Sequence, residues 1–174
     1  MSLSANYFDL FEIPVSFNIN TDTLAQRYRE LQRTVHPDKY ASAPERERRL
    51  AMQNATQINE AFQTLKNPLT RARYLLQLQG VDTNEESDTA MDSEFLMAQM
   101  ELREELADIK QKSQPVDALE TFLTRVKQKQ QRLIDALSQQ FAQKKYQSAR
   151  ETVRQFQFFV RLHEEALRVE EELV

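Results

Sequence analysis

Thr21-Asp22-Thr23-Leu24-Ala25-Gln26-Arg27-Tyr28-Arg29-Glu30-Leu31-Gln32-Arg33-Thr34-Val35-His36-Pro37-Asp38-Lys39 decides the reading of the N-terminal half. Leu24, Tyr28, Leu31 and Val35 recur at i, i+4, i+7 and i+11. At about 100° per residue this spacing puts them on one narrow helical stripe. Thr21 and Asp22 are favourable N-cap residues. Pro37 ends the helix, because the residue before a proline is pushed out of the α region. Arg29 and Arg33 fall opposite the apolar stripe, with Arg27 on its flank. The predicted helix therefore buries one face and shows a basic one. It leads into the turn His36-Pro37-Asp38-Lys39, where Pro37 fixes the backbone so that His36 and Asp38 are presented together.

The flanking sequence extends the same pattern. A short helix is expected from about Tyr7 to Phe11, stopping before Pro14. After Pro44 a helix running to about Lys66 buries Ile58, Ala61, Phe62 and Leu65. Asn67-Pro68 reads as a cap followed by proline at the first helical position. The helix after it carries Leu69, Ala72, Leu75 and Leu76, with Gly80 just past its end.

Gly80 is the single glycine of 174 residues, where average usage of about 7% gives roughly twelve. Phosphate-cradling loops and dinucleotide fingerprints need several glycines and are excluded. The absence of cysteine removes disulfides, thiolate chemistry and Cys-ligated metal sites. Two histidines, His36 and His163, make a His-based metal cage improbable. The composition is 40% hydrophobic and 29% charged, as expected for amphipathic helices. A net charge of −4 argues against nucleic acid as a partner of the whole chain. No apolar run reaches the ~18 residues of a membrane span. The opening Met1-Ser2-Leu3-Ser4 lacks the features of a signal or transit peptide. A cytoplasmic, nearly all-helical protein without cofactor or metal is the expectation.

Charge divides the chain. Residues 1–80 carry +2, residues 81–92 carry −5 and residues 93–174 carry −1. The middle stretch reads as an acidic, solvated linker between two helical units. The second unit reads as three helices, over about 93–112, 116–141 and 145–172, which form an antiparallel three-helix bundle. Its expected core contains Phe95, Leu102, Leu106 and Ile109, then Leu119, Phe122, Val126, Leu133, Ile134 and Leu137. Ala149, Val153, Phe156, Val160, His163 and Leu167 complete it, with His163 as a satisfied core histidine. Several apolar residues fall off these stripes. Leu96 and Met100 project about 100–140° from Phe95, with Met97 further round, and Phe158 projects about 200° from Phe156. Such residues either pack between helices or form a contact surface. We expect Leu96, Met97, Met100 and Phe158 to form one exposed patch, rimmed by Glu101, Arg103 and Glu104.

Taken bare, the His36-Pro37-Asp38 turn is only a helix stop. Its context is more specific. Tyr7-Phe8-Asp9-Leu10-Phe11, Tyr28-Arg29-Glu30-Leu31, His36-Pro37-Asp38-Lys39, Ile58-Asn59-Glu60-Ala61-Phe62-Gln63-Thr64-Leu65 and Pro68 through Ala72 together resemble the J-domain family, in order and spacing, over residues 6–76. The resemblance implies that His36, Pro37 and Asp38 stimulate ATP hydrolysis by a DnaK-type chaperone. Arg27, Arg29, Arg33 and Lys39 would help to dock it. Glu30 departs from the family, where a basic residue is frequent, and suggests a specialised chaperone partner.

No Gly/Phe-rich tract or Cys-rich zinc module follows, so the second unit must act otherwise than in general-purpose J proteins. Phe95-Leu96-Met97-Ala98-Gln99-Met100-Glu101-Leu102-Arg103-Glu104-Glu105-Leu106 is similar to the start of the C-terminal domain of the HscB family of J-type co-chaperones. Arg71-Ala72-Arg73-Tyr74-Leu75-Leu76 and the helix around Phe158 fit as well, so the likeness runs essentially end to end. Family resemblance implies that the J-domain engages the DnaK-like chaperone HscA. It also implies that Leu96, Met97, Met100, Glu101, Arg103, Glu104 and Phe158 contact the iron–sulfur scaffold IscU. Met100 stands where leucine is familiar, a swap that conserves volume. Lack of a Cys-rich zinc segment suits a bacterial member.

The expected fold is therefore all-α: a J-domain over 1–80, an acidic linker over 81–92 and a scaffold-binding three-helix bundle over 93–174. The expected function is co-chaperone, not enzyme. A general J protein delivering unfolded clients is the main rival. An enzyme using His36 and Asp38 as a dyad lacks a pocket and a third partner.

Overall fold

A computed structural model describes residues 6–84 and 92–174, and every regular element among them is helical. The helices are α1 (Tyr7–Leu10), α2 (Thr21–Val35), α3 (Glu45–Lys66), α4 (Pro68–Leu78), α5 (Ser93–Asp108), α6 (Pro115–Ala142) and α7 (Tyr146–Leu173). Short 3-10 turns cover Pro37–Tyr40 and Ile109–Gln111. Contacts group into two compact units, residues 1–75 and 76–174, so the division falls inside α4 and ahead of Gly80. Of the acidic linker, residues 81–84 are non-helical and Asp92 caps α5 by accepting from the Glu94 N–H. The linker acids Glu85, Glu86 and Asp88, and the first five residues, lie outside the described residues.

In the first unit α2 and α3 form the main hairpin. Leu24 and Val35 are buried, and they face Ala51, Ile58, Ala61 and Leu65, which are buried along α3. Tyr28 and Phe62 stack nearly parallel with ring centroids 3.9 Å apart. The Tyr28 hydroxyl donates to Asn59 Oδ1 at 3.0 Å and accepts from Gln32 Nε2 at 2.6 Å. Stacking and hydrogen bonds thus fix the register that the apolar stripe alone leaves loose. The true cap of α2 is Asn20, one residue before the expected Thr21. Its extended backbone lets Oδ1 accept from the N–H groups of Asp22 and Thr23 at 3.0 and 3.1 Å. Asp22 instead lies in the first turn, where its charge suits the positive end of the helix dipole. α4 buries Leu69, Ala72, Leu75 and Leu76, as its spacing predicts.

Arg71 of α4 is buried, 7% exposed. Its guanidinium lies 4.9 Å from the Phe17 ring centre and donates to the Leu65 carbonyl at 2.8 Å. Burial pushes its pKa below the usual arginine value. That carbonyl is one of the orphan acceptors at the end of α3. Arg71→Ala removes the donor and the stacking, so urea unfolding of this unit should lose roughly 2–3 kcal/mol. An unchanged midpoint would reject this role.

Three helices end in the same way although only one has glycine. At α4, Val81 N–H bonds Leu76 O and Gly80 N–H bonds Gln77 O, each at 2.9 Å. The same pair of bonds closes α1 through Ile13 and Glu12, and α6 through Lys145 and Lys144. This is the Schellman ending, which needs a left-handed residue. Gly80 (φ +73°) adopts it freely, whereas Glu12 (φ +55°) and Lys144 (φ +56°) carry a side-chain penalty. Lys144→Gly should stabilise the protein by about 0.5–1 kcal/mol and raise Tm by a few degrees, net of the added freedom of the unfolded chain. A lowered Tm would contradict it.

The second unit is an up-down-up bundle. Phe95–Phe158, Arg103–Glu165 and Lys110–Glu172 link α5 to α7 at a nearly constant offset of 62 or 63 positions, so these two helices run parallel. α6 runs antiparallel to α7, with Gln130 Nε2 donating to Phe159 O at 3.0 Å and Phe141 against Tyr146 beside their connection. Leu106, Ile109, Leu119, Phe122, Val126, Leu133 and Leu137 are buried as expected, while Phe95, Leu102 and Ile134 are half-buried.

On α7 the core differs from the expected stripe. Ala149, Val153 and Phe156 are buried, but towards the C-terminus the buried residues are Phe159, Leu162 and Ala166. Val160 and His163 are half-buried, and Leu167 is 40% exposed. With α6 on one side and α5 on another, α7 buries a wide arc whose centre drifts along the helix. His163 is not the satisfied core histidine expected, since its Nε2 is buried without a hydrogen-bond partner.

Candidate functional site

The His-Pro-Asp turn is built by the end of α2. His36 has φ −56° and ψ 129°, the extended geometry that a following proline imposes. Its Nδ1 accepts from the Asp38 N–H at 3.2 Å, so His36 caps the 3-10 turn. An accepting Nδ1 leaves Nε2–H as the donor of the neutral ring. The two side chains stay solvent-facing: His36 is 55% and Asp38 93% exposed, with Nδ1 and Oδ2 3.6 Å apart. Pro37 is half-buried and opens the 3-10 turn.

A shallow open cleft beside this turn is lined by Arg29, Gln32, Arg33, His36 and Lys39. The side chains of Arg29, Arg33 and Lys39 have no ion-pair partner among the described residues. Unneutralised cations on one helix face attract an acidic surface. Arg27 is not part of this group, because its Nη1 donates to Glu12 Oε2 at 3.3 Å. Gln32 was not singled out from the sequence, although its spacing of one turn from Arg29 and His36 places it on the same face.

In the second unit α5 carries the candidate patch. Leu96, Met97 and Met100 are 41%, 63% and 64% exposed. Glu101, Arg103 and Glu104 are exposed too, and all six lie within an arc of about 160°. Phe158 does not join them: it is 6% exposed, which corrects the expectation of a single exposed patch. It meets Phe95 edge to face at 5.8 Å and Phe159 at 5.2 Å. The Arg103 guanidinium lies 5.7 Å from its ring centre and 3.9 Å from Glu165. Phe158 and Arg103 thus strap α5 to α7. Phe156, Gln157, Phe158 and Phe159 are all buried in succession, because neighbours flank α7 on two sides. Among the described residues no cluster of His, Cys, Asp and Glu could hold a metal ion, and no helix is long and apolar enough to cross a membrane.

Comparison with known proteins agrees with both halves. A DnaJ domain model matches residues 6–74, and a model described as the HSCB C-terminal oligomerisation domain matches residues 91–167. A DnaJ domain with an exposed His-Pro-Asp turn, joined to a helical bundle, defines a J-type co-chaperone, which is not an enzyme and works with a DnaK-type chaperone. The chain is 44% identical to a co-chaperone protein HscB homolog of Vibrio cholerae, over 97% of this chain and 99% of that one. A homolog from Photobacterium profundum is 45% identical over 95% and 97%. Solved structures agree. Chaperone HscB from Vibrio cholerae superposes with a TM-score of 0.90 at 43% identity, covering 97% and 99% of the two chains. Human co-chaperone protein HscB gives 0.91 at 32%, covering 100% of this chain and 86% of that one. The chain belongs to the HscB family of co-chaperones, which act in iron–sulfur cluster assembly.

Proposed function

We propose that the protein holds the iron–sulfur scaffold IscU on its bundle and presents it to the DnaK-like chaperone HscA in the bacterial cytoplasm. Leu96, Met97 and Met100 contact the scaffold, Glu101, Arg103 and Glu104 set its orientation, and Phe158 supports the helix from its buried side. The basic face of α2 and the His36-Pro37-Asp38 turn dock on the ATP-bound chaperone. Hydrolysis then traps the scaffold and favours release of its cluster to acceptors. The observation that carries this reading is an exposed three-residue apolar face on a helix held to α7 by the Phe95–Phe158 and Arg103–Glu165 contacts. Exposed apolar area costs about 25 cal/mol per Å² in water and is retained where a partner covers it.

A pull-down from cell lysate with the full chain tests the client. One small folded scaffold supports the reading, whereas many unfolded clients would favour a general J protein. Electrostatics give a second test. Chaperone association should slow as ionic strength rises past about 0.1 M, where the Debye length is about 10 Å. Arg33→Glu should act mainly on the association rate. Arg27→Glu should act less, because Arg27 is already paired with Glu12. Association that ignores salt would overturn this account.

A further inference from the structure

The chain contains five methionines and no cysteine, so its oxidisable sulfur is thioether alone. Methionine commonly fills gaps in cores, but the buried apolar side chains among the described residues are Leu, Ile, Val, Phe and Ala. The three methionines there are instead exposed: Met52 on α3 by 61%, and Met97 and Met100 on α5 by 63% and 64%. Met1 and Met91 lie outside the described residues.

Met97 and Met100 are three positions apart, which makes them neighbours across one turn of α5. They supply two of the three residues of its exposed apolar face. Leu96, the third, has no sulfur to react. Glu101 and Glu104 beside them are exposed as well, so the face is open to water and to small solutes. A peroxide transfers one oxygen atom to a thioether: the S–O bond forms as the O–O bond breaks, sulfur gives up two electrons, and the peroxide leaves as water. The sulfoxide is polar, and its oxygen accepts hydrogen bonds. In the free protein that oxygen stays hydrated and lies away from the core, so folding is unaffected. Beneath a partner the same oxygen loses its water, and a desolvated acceptor without a donor weakens binding. Sulfoxide reductases, one per epimer, reverse the step. A dithiol becomes a disulfide, and the oxygen departs as water.

We propose that Met97 and Met100 form a reversible oxidant switch on α5, resting on the scaffold-binding reading of this face. Peroxide-class oxidants convert both to sulfoxides and weaken the hold on the scaffold, and sulfoxide reduction restores it. In the test the full chain is treated with hydrogen peroxide and the oxidant is removed. Peptide masses, Tm and affinity for purified IscU are measured before and after. Met97 and Met100 should oxidise about as fast as Met52, the internal standard for an open thioether. Tm should not move. Affinity should fall at least about tenfold and recover after treatment with both sulfoxide reductases and a dithiol. Met97→Leu with Met100→Leu, a volume-conserving change, keeps Met1, Met52 and Met91, and peroxide should no longer alter its affinity. Met52→Leu should respond to peroxide as the parent does. Untreated protein that binds no IscU overturns the scaffold reading and the switch with it. Where the untreated protein binds, the switch alone is overturned by an affinity that survives oxidation of both residues, or by Met97 and Met100 reacting far more slowly than Met52. A Tm that falls together with affinity, or a double-Leu variant as sensitive as the parent, also overturns it.

Discussion

His36→Gln or Asp38→Asn should abolish stimulation of the DnaK-type chaperone's ATPase, while helix content and scaffold binding remain as in the parent protein. Both side chains face solvent, and among the described residues their only side-chain hydrogen bond and ion pair join His36 to Asp38. Their replacement leaves no buried group unpaired, so folding stability should shift by no more than about 0.5 kcal/mol. Chaperone ATP turnover with and without the co-chaperone is the measurement. Stimulation at the parental level by either variant would reject the role of the turn.

Replacing Leu96, Met97 and Met100 together by Ala should cost several kcal/mol in scaffold affinity. Hot-spot truncations run about 2 kcal/mol or more each and do not add cleanly. Thermal stability should barely move, because all three are already exposed in the folded chain. Basal stimulation of the chaperone should survive, but any extra stimulation brought by the proposed scaffold partner should vanish. Phe158→Ala should behave differently. It removes a ring buried against Phe95, Phe159 and Arg103, a change of the kind that costs about 3–5 kcal/mol of stability. If the α5 triple variant unfolds while Phe158→Ala stays stable and loses only binding, the roles assigned to the two helices are reversed.

The sequence by itself determined the helical class, the α2–α3 hairpin and the turn between its helices. One glycine and no cysteine leave few other folds open. The spacing of Leu24, Tyr28, Leu31 and Val35 is a local property that needs no knowledge of neighbours, and Pro37 dictates the backbone of His36 directly. Exposure of Leu96, Met97 and Met100 was legible for the same reason, since they fall off the stripe that α5 needs for packing. The identity of the partners came from resemblance, because no periodicity encodes a partner.

Tertiary structure decided what a single helical wheel cannot represent. Burial of Phe158 depends on α5 and α6 flanking α7 on different sides, and a wheel with one core direction places that ring in solvent. The shift of the core from Val160, His163 and Leu167 to Phe159, Leu162 and Ala166 has the same origin, as the contact arc rotates along two crossing neighbours. Pairing of Arg27 with Glu12 joins residues fifteen positions apart across a loop, so the α2 pattern puts Arg27 on the flank of the stripe but does not reveal that its charge is neutralised.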